Sequence, residues 1–415
     1  MRLAEANGEA GDLQAGVFPV LDARLRTARS HPLALALSGG GDSVALLLLA
    51  KAWADRAGRS LLVLSVDHRL QPQSAAWTEA CARRAARLGL AFQALGWTGE
   101  KPRSGLPAAA RTARHRLLAE AARAAGASVI LMGHTADDVL EARAMRGAGS
   151  TTPEPREWAP SPAWPEGRGV FLLRPLLNVR RAALRAWLVA QGESWVEDPA
   201  NADLRYARAR ARAAAPTPAP ATPAAPPPEP NPLAALCAMD EAGVLAVSRD
   251  ALRLAPRAQA QAFLGAACLC AAGTVRPPAA ARTQRLLARL AAHAPVAATL
   301  AGARIEADAD EVRVLREPGE AARGALAPIH LRSGETRVWD GRFEIAAERD
   351  IEVRPLARLA ARLPAAERAR LAIFAPKARA ALPAAIEGGR VTVIAGRPLA
   401  LGRLEAACGL VEREP

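Results

Sequence analysis

The chain lacks the sequence features of a membrane protein, of a secreted protein and of a cysteine-ligated metal centre. No apolar run approaches the ~18 residues that a membrane-spanning helix needs, and the first residues, MRLAEANGEAGDLQAGVF, carry no charged-then-apolar leader. These absences predict a soluble, cytoplasmic protein with no membrane partner. The cysteines, odd in number and without a CxxC pair, indicate reduced thiols: they are Cys81, Cys237, Cys268, Cys270 and Cys408.

Lysine is also scarce, so the positive charge of the chain is almost entirely arginine. Only Lys51, Lys101 and Lys377 are lysines, whereas the formal net charge is +14 and the pI is near 11.0. A basic surface concentrates anions such as nucleic acid or acidic lipid, which favours an anionic partner. A coding bias that enriches arginine together with alanine and proline is the alternative explanation.

The length of 415 residues predicts two or three domains. From about residue 32 to 195, short apolar runs alternate with stretches of helical period, the pattern of repeated strand–helix units. This predicts an α/β fold with an N-terminal doubly wound, mostly parallel sheet covered on both faces. The predicted strands lie near 33–38, 61–67, 91–96, 128–133 and 170–174. The predicted helices lie near 43–57, 75–89, 106–125, 136–146 and 180–191.

A tract rich in proline and alanine ends this pattern. Residues 213–232 predict a linker, because proline removes hydrogen-bond donors and fixes its own backbone. After it, residues 233–295 are expected to form a small helical region, and residues 296–415 a small, mixed α/β region rich in strands. The predicted catalytic domain therefore covers residues 1–212.

Three consecutive glycines follow the first predicted strand, in LALALSGGGDSVALLLLA at residues 33–50. A glycine loop between a strand and a helix lets backbone amides approach an anion, and the helix N-terminus adds partial positive charge, so phosphate is the expected ligand. The loop is not a Walker loop, because Asp42 and Ser43 follow Gly41 where lysine is required. It is not a dinucleotide fingerprint either, because Val44 stands where a third glycine is required.

Five further motifs accompany this loop along the chain. Together the six motifs resemble, in order and spacing, those of the tRNA(Ile)-lysidine synthetase family, whose loop SGGxDS is similar to SGGGDS here. That family belongs to the PP-loop ATP pyrophosphatases, which have an adenine nucleotide alpha hydrolase-like fold. The five are LSVDHRLQPQSAAW (64–77), LPAAARTARHRLL (106–118), LMGHTADDVLEARAMRGAG (131–149), LLRPLLNVRRAAL (172–184) and WVEDPANADLRYARARAR (195–212).

The resemblance implies a ligase that forms a carbon–nitrogen bond in two steps. ATP adenylates the ring carbonyl oxygen of the wobble cytidine in an isoleucine tRNA with a CAU anticodon, and the amine of L-lysine then displaces AMP to give lysidine. Mg²⁺ is the implied metal. Dimerisation is common in the family, so the resemblance implies a homodimer.

The resemblance also implies roles for individual residues. Asp42 and Asp137 would bind the metal, and Asp42, Asp137, Arg111 and His134 would be catalytic. Lysine would contact Asp137, Glu141 and Arg111. Asp138 is left open, because a carboxylate is also favourable at a helix N-terminus without any further function. ATP would be bound by Ser38, Gly39, Gly40, Gly41, Asp42 and Ser43.

The sixth motif resembles the part of the family that faces tRNA. Its arginines are expected to contact the RNA backbone, and residues 233–295 would form a helical tRNA-binding region. The resemblance has two departures: His115 stands where the family has a tyrosine, and the Pro/Ala tract stands where it continues into a long helix. The expected tRNA-binding arginines are Arg205, Arg208, Arg210 and Arg212.

Two alternatives compete with this interpretation. The first is another PP-loop enzyme that modifies tRNA or activates a substrate with a nucleotide. The second is a tRNA-binding relative that retains the fold without catalysis. The presence of Asp42, Ser43 and Asp137 argues against the second alternative.

Overall fold

The chain, in a computed structural model, forms two compact units. The structure describes residues 2–150, 153–198, 203, 207–214, 229–323, 326–394 and 396–415. The first unit contains Met1–Pro228 and Val411–Pro415, and the second contains Glu229–Leu410. The chain therefore leaves the first unit once and returns to it for its last five residues. Arg205 and most of the Pro/Ala tract lie outside the described residues.

A six-stranded sheet organises the first unit, with strand order β3-β2-β1-β4-β6-β5. All neighbouring pairs are parallel except β5 with β6, which is antiparallel. The predicted α/β class with a mostly parallel sheet is confirmed. The strands are β1 (Leu33–Ala36), β2 (Leu61–Asp67), β3 (Ala91–Gly96), β4 (Val129–Leu131), β5 (Trp158–Pro160) and β6 (Phe171–Leu173).

Seven described helices belong to this unit. Five match the predicted helices to within about two residues at each end, whereas α1 was not predicted. They are α1 (Arg2–Arg24), α2 (Gly41–Ala57), α3 (Ser74–Arg87), α4 (Leu106–Ala124), α5 (Ala136–Gly147), α6 (Arg181–Ala190) and α7 (Ala207–Ala214).

Both faces of the sheet are buried at its strands β1, β4 and β6, which explains the continuous apolar sequences of these strands. In β1, Leu33 and Leu35 enter one hydrophobic cluster, whereas Ala34 enters the cluster on the opposite face. This alternation follows from the period of two of a β-strand. Helix α1 adds Val17 and Leu21 to the first cluster, and both side chains are fully buried.

The returning segment 411–415 is tied to the first unit by a buried ion pair. Arg59 Nη1 and Nη2 donate to the two carboxylate oxygens of Glu414, each at 2.9 Å, and the two side chains are 0% and 1% exposed. The backbone N–H of Glu414 also donates to the carbonyl of Arg24 at 2.8 Å. Trp158 Nε1 donates to the carbonyl of Val411. These contacts hold the segment against α1 and β5.

The second unit begins with helices packed on a five-stranded antiparallel sheet of order β7-β8-β11-β10-β9. The expected boundary at 295/296 therefore divides one sheet, because strands on both sides of it pair together: β8 pairs with β11. The helices are α8 (Pro232–Ala235), α9 (Arg249–Leu254), α10 (Arg257–Ala271) and α11 (Ala280–Leu290). The strands are β7 (Ala238–Met239), β8 (Leu245–Ser248), β9 (Val296–Leu300), β10 (Ala303–Ala307) and β11 (Glu311–Arg316).

Two smaller sheets and three short helices complete the second unit. The sheets have the orders β12-β15-β16-β17 and β13-β14-β18. Within the described ranges, no helix is long and apolar enough to cross a membrane. The strands are β12 (Ile329–Leu331), β13 (Thr336–Trp339), β14 (Phe343–Ala346), β15 (Ile351–Pro355), β16 (Pro383–Glu387), β17 (Arg390–Val393) and β18 (Arg397–Pro398). The helices are α12 (Ala365–Arg370), α13 (Pro376–Arg379) and α14 (Ala400–Ala407).

Candidate active site

A cavity of about 410 Å³ opens at the carboxyl ends of the strands of the first unit. It lies where the strand order changes direction, between β1 and β4, the position at which open α/β sheets bind ligands. The segment after β1 supplies the glycine loop, and the segment after β4 supplies His134 and Asp138. The topology therefore brings two distant motifs to one cavity.

The glycine loop is shaped by the hydroxyls of two serines. Ser43 Oγ donates to the carbonyl of Gly40 at 2.8 Å and lies 3.1 Å from Ser38 Oγ. Gly39 has φ +85°, a conformation that L side chains rarely adopt, so this position requires glycine. Gly40 then precedes the first turn of α2 with extended backbone angles. The result is a helix N-terminus that opens into the cavity, as a phosphate site requires.

A fourth glycine, Gly133, allows the β4 segment to approach this loop. A Cβ at residue 133 would lie 3.1 Å from Ser43 Cα and 3.2 Å from the carbonyl oxygen of Asp42. Such distances are too short for a side chain without displacement of the loop. The sequence analysis did not single out Gly133, although its place directly after a buried strand is a signal of close backbone approach.

One arginine of α6 joins three carboxylates around the cavity. Arg181 Nε donates to Asp42 Oδ2 at 2.8 Å, and Arg181 Nη1 donates to Glu141 Oε1 at 3.0 Å. Its Nη2 lies 3.5 Å from Asp138 Oδ2. Burial acts to lower the pKa of Arg181, but these carboxylates raise it, so the guanidinium stays charged. The sequence analysis missed Arg181, because its partners lie far from it in the chain.

Asp138 lines the cavity, whereas Asp137 does not. Asp137 holds the N-terminus of α6: its carboxylate accepts the backbone N–H of Arg181 at 2.8 Å and Nη2 of Arg180 at 3.0 Å. Asp138 shares a helical face with Glu141, three residues later, and both are buried. The structure therefore places Asp138 where the sequence analysis expected Asp137.

Two of the α7 arginines that were expected to contact RNA, Arg208 and Arg212, contact the acidic pair formed by Asp138 and Glu141. Arg208 Nε donates to Glu141 Oε2 at 2.8 Å, and Arg208 Nη2 contacts Asp138. Arg212 Nε donates to Glu141 Oε1 at 2.9 Å. Burial acts to raise the pKa of Glu141, but its hydrogen bond with Arg208 and the nearby positive charge lower it. Glu141 is thus an ionised, buried carboxylate.

Beside the acidic pair, three arginines lie close together. Burial and the charge of Arg111 lower the pKa of Arg114 to about 10, and burial and both of these arginines lower the pKa of Arg174 to about 10. Arg114 Nε is buried without a hydrogen-bond partner in the described parts of the chain. Arg174 donates to His134 Nδ1 and to the carbonyl of Arg156, neither of which is an anion. Such a cluster favours an anionic ligand.

His134 is neutral in this surrounding. Burial, followed by the charges of Arg174 and Arg114, lowers its pKa well below the ordinary value. Because its Nδ1 accepts the hydrogen bond from Arg174, the proton of the ring belongs on Nε2. His115 is also neutral, with its pKa lowered to about 2 by burial and by the neighbouring arginines. Its side chain is buried and does not line the cavity.

Asp67, the last residue of β2, and His68, which follows it, line the cavity on the side of α3. Trp158 and Arg146 do not line it. Trp158 stacks on Phe171 with ring centroids 4.8 Å apart, so it packs on the sheet. Arg146 pairs with Glu154.

The carboxylates of the site fit a magnesium ion that is shared with a phosphate. Among the described residues, no cluster of three or more His, Cys, Asp or Glu side chains has the geometry of a metal site. Mg²⁺ bound with a nucleotide needs only one or two protein carboxylates, because phosphate and water supply the other oxygens. Asp42 and Asp138 both line the cavity, and burial raises the pKa of Asp42, which a nearby cation would counteract.

The comparisons with known proteins agree with this geometry. The PP-loop domain family matches residues 19–216. The tRNA(Ile)-lysidine synthase of Caulobacter vibrioides is 48% identical over 368 residues, covering 88% of this chain and 87% of that protein. The enzyme of the same name from Rhodopseudomonas palustris is 37% identical, covering 70% of this chain and 92% of that protein. The one from Mesorhizobium japonicum is 45% identical over 194 residues, covering 43% of this chain and 41% of that protein.

The resemblance noted in the sequence therefore extends beyond the six motifs into the second unit. The glycine loop, the carboxylates that face it and these relatives lead to one conclusion. The chain belongs to the tRNA(Ile)-lysidine synthase family, whose catalytic unit is an ATP-binding PP-loop domain.

Proposed function

We propose that this chain ligates L-lysine to the wobble cytidine of an isoleucine tRNA with a CAU anticodon, with release of AMP and pyrophosphate. One observation carries the proposal: a single cavity is lined both by a phosphate loop and by Asp138, which lies on one helical face with Glu141. Transfer of a cationic amine to an adenylated base requires an anion site and a cation site side by side. The identity of the substrates is inferred from the family to which the chain belongs.

In the first step, the ring carbonyl oxygen of the cytidine attacks the α-phosphorus of ATP. The new oxygen–phosphorus bond forms as the bond to the β-phosphate bridging oxygen breaks, and pyrophosphate leaves. Ser38 to Ser43 hold the phosphates at the N-terminus of α2, which offers backbone amides and partial positive charge. Arg111 and His134 stabilise the negative charge on the phosphate oxygens. His134 does so as a neutral hydrogen-bond donor through Nε2.

Asp42 and Asp138 would hold the magnesium ion. When bound, the ion supplies positive charge to the phosphate oxygens. The sequence analysis gave this metal-binding role to Asp137; we assign it to Asp138, because Asp138 lines the cavity and Asp137 does not. Asp137 acts by position, because it fixes the N-terminus of α6 and with it Arg181.

In the second step, the lysine amine attacks C2 of the activated base, and AMP leaves as the bond between C2 and oxygen breaks. Glu141 and Asp138 attract the cationic amine, since both are buried carboxylates. Asp138 accepts a proton from the lysine ammonium, so that the neutral amine is the nucleophile. Arg111 suits the carboxylate of lysine better than its amine, because neighbouring arginines already repel cations there.

The RNA would be held mainly by arginine. Arg208, Arg210 and Arg212 lie on α7, and Arg205 precedes them in the sequence. The helical part of the second unit, residues 233–295, would bind the body of the tRNA. A cytoplasmic location and a homodimer are part of the same proposal.

The test is incorporation of labelled L-lysine into an isoleucine tRNA transcript with a CAU anticodon, in the presence of ATP and Mg²⁺. The expected result is one AMP released per lysine incorporated. Methionine tRNA, which has the same anticodon, is the matched negative control and should incorporate no lysine. The Asp42→Asn variant should incorporate none. ATP consumption with another tRNA and no lysine incorporation would contradict the proposal.

A further inference from the structure

The acidic pair proposed to receive lysine is already occupied by two arginines of the same chain. Arg208 and Arg212 both donate to the carboxylate of Glu141, at 2.8 and 2.9 Å, and Arg208 also contacts Asp138. Each of these arginines is cationic, as the lysine amine is. Lysine and α7 therefore compete for the same carboxylates.

The two partners of these ion pairs differ in exposure. The side chains of Glu141 and Asp138 are 3% and 8% exposed, whereas those of Arg208 and Arg212 are 45% and 34% exposed. A buried carboxylate without a cation is strongly unfavourable, so the acidic pair always needs a positive partner. A half-exposed arginine can leave for another anion at much lower cost.

Helix α7 offers a second use for its arginines. Its sequence, ARARARAA, has three arginines and no acidic residue, and Arg208 and Arg212 are four residues apart on one face. Guanidinium groups bind phosphate with paired hydrogen bonds and are common in RNA recognition. When Arg208 or Arg212 turns toward a phosphate of RNA, its Nε–H group moves away from Glu141.

We propose that Arg208 and Arg212 occupy the lysine site as an internal substitute for the substrate cation, and that RNA binding removes them. This inference rests on the proposed function, because it assumes that lysine binds Asp138 and Glu141. Arg181, on α6, remains paired with Glu141. RNA therefore opens the lysine site, and by thermodynamic linkage bound lysine strengthens the binding of RNA.

The test is equilibrium binding of radiolabelled L-lysine to the full chain with a non-hydrolysable ATP analogue, with and without saturating isoleucine tRNA transcript. RNA should tighten lysine binding by roughly 10-fold or more. The double variant Arg208→Gln/Arg212→Gln should bind lysine without RNA about as tightly as the unaltered chain binds it with RNA. Arg212→Gln alone leaves Arg208 and Arg181 on Glu141 and should give an intermediate gain.

The matched control is Arg116→Gln, which removes an arginine whose partner is the exposed Glu120 on α4. It should leave the effect of RNA on lysine binding unchanged. Lysine binding that is indifferent to RNA, or an RNA effect that persists in the double variant, would overturn this inference and leave the proposed function intact. Absence of lysine binding in every state would overturn both.

Discussion

The guanidinium of Arg181 lies 2.8 Å from the carboxylate of Asp42, and this contact joins the phosphate loop to helix α6. The same side chain reaches Glu141 at 3.0 Å, on the neighbouring helix α5. A single cation thus balances carboxylates from two motifs that are about 100 residues apart. The proposed magnesium ion and lysine would enter a site whose carboxylates are held together by arginine.

The two adjacent aspartates of α5 should differ in their effects on catalysis. Asp138→Asn removes a charge that lines the cavity, and we expect AMP release to fall on the order of 100-fold. Asp137→Asn keeps an oxygen that can accept the N–H of Arg181, so AMP release should stay within a few-fold. Single-turnover AMP release with saturating tRNA and lysine measures both. The reverse ranking would restore the catalytic role to Asp137.

A methyl group at residue 133 should weaken ATP binding. In Gly133→Ala the new Cβ would lie 3.1 Å from Ser43 Cα, and relieving such a contact costs about 1–3 kcal/mol. We expect an affinity for a non-hydrolysable ATP analogue lower by roughly 10-fold, measured by calorimetry. Gly147→Ala is the control, because a Cβ there meets nothing within 4 Å. Equal affinities of the two variants would show that the loop tolerates displacement.

The buried arginine cluster should oppose folding when no anion is bound. Arg114→Met removes a buried guanidinium next to Arg111, and such replacements often stabilise a protein by about 1–4 kcal/mol. We expect a higher Tm without ligand, together with a smaller gain in Tm on addition of inorganic pyrophosphate. Arg116→Met, on the exposed side of the same helix, should change neither quantity. A lower Tm for Arg114→Met would mean that the charge has a partner in the folded state.

Stability of the catalytic unit should depend on pH through Glu414. Burial acts to raise the pKa of this carboxyl, but hydrogen bonds from Arg59 and Arg26 lower it below the ordinary glutamate value. A carboxyl whose pKa is lower in the folded than in the unfolded state stabilises the protein above the unfolded pKa, about 4.3. That contribution is lost as the pH falls through the folded pKa.

The Glu414→Gln variant isolates this contribution. It leaves Arg59 buried without a counter-charge, so we expect a loss of about 3–5 kcal/mol of unfolding free energy at pH 7. The difference from the unaltered chain should shrink below pH 4. Glu412→Gln changes an exposed neighbour and should leave the pH profile of urea unfolding as it is. A constant difference across the whole pH range would exclude a charge effect at Glu414.

The sequence predicted the parallel sheet well because its signal is local. Each buried strand is a short apolar run, and each helix that follows has a 3.6-residue period. Strand β5 has only three residues, Trp158–Pro160, and Pro155 and Pro162 lie close to it in the chain, so it carried no such signal. The sheet that crosses the expected boundary at 295/296 carried no local signal either, because β8 pairs with a strand far along the chain, Ser248 with Glu311.

The site was predicted in its parts but not in its detailed arrangement. The phosphate loop follows from its glycines, whereas the choice between Asp137 and Asp138 depends on orientation around a helix. Spacing does not decide it, because Glu141 lies three residues after Asp138 and four after Asp137, and both spacings share a helical face. Packing decides it: Asp138 lines the cavity, whereas Asp137 accepts the N–H of Arg181. Arg181 could not be found in this way, because its contacts with Asp42 and Glu141 arise only when α2, α5 and α6 pack together.

The ion pair of Arg59 with Glu414 also bears on how the protein is made. Synthesis proceeds from the N-terminus, so the strands of the first unit emerge before residues 229–410, and the segment 411–415 emerges after them. During that interval Arg59 lacks the carboxylate of Glu414, and Trp158 lacks the carbonyl of Val411. The unit that begins folding first is therefore the one that is finished last, after the whole second unit has left the ribosome.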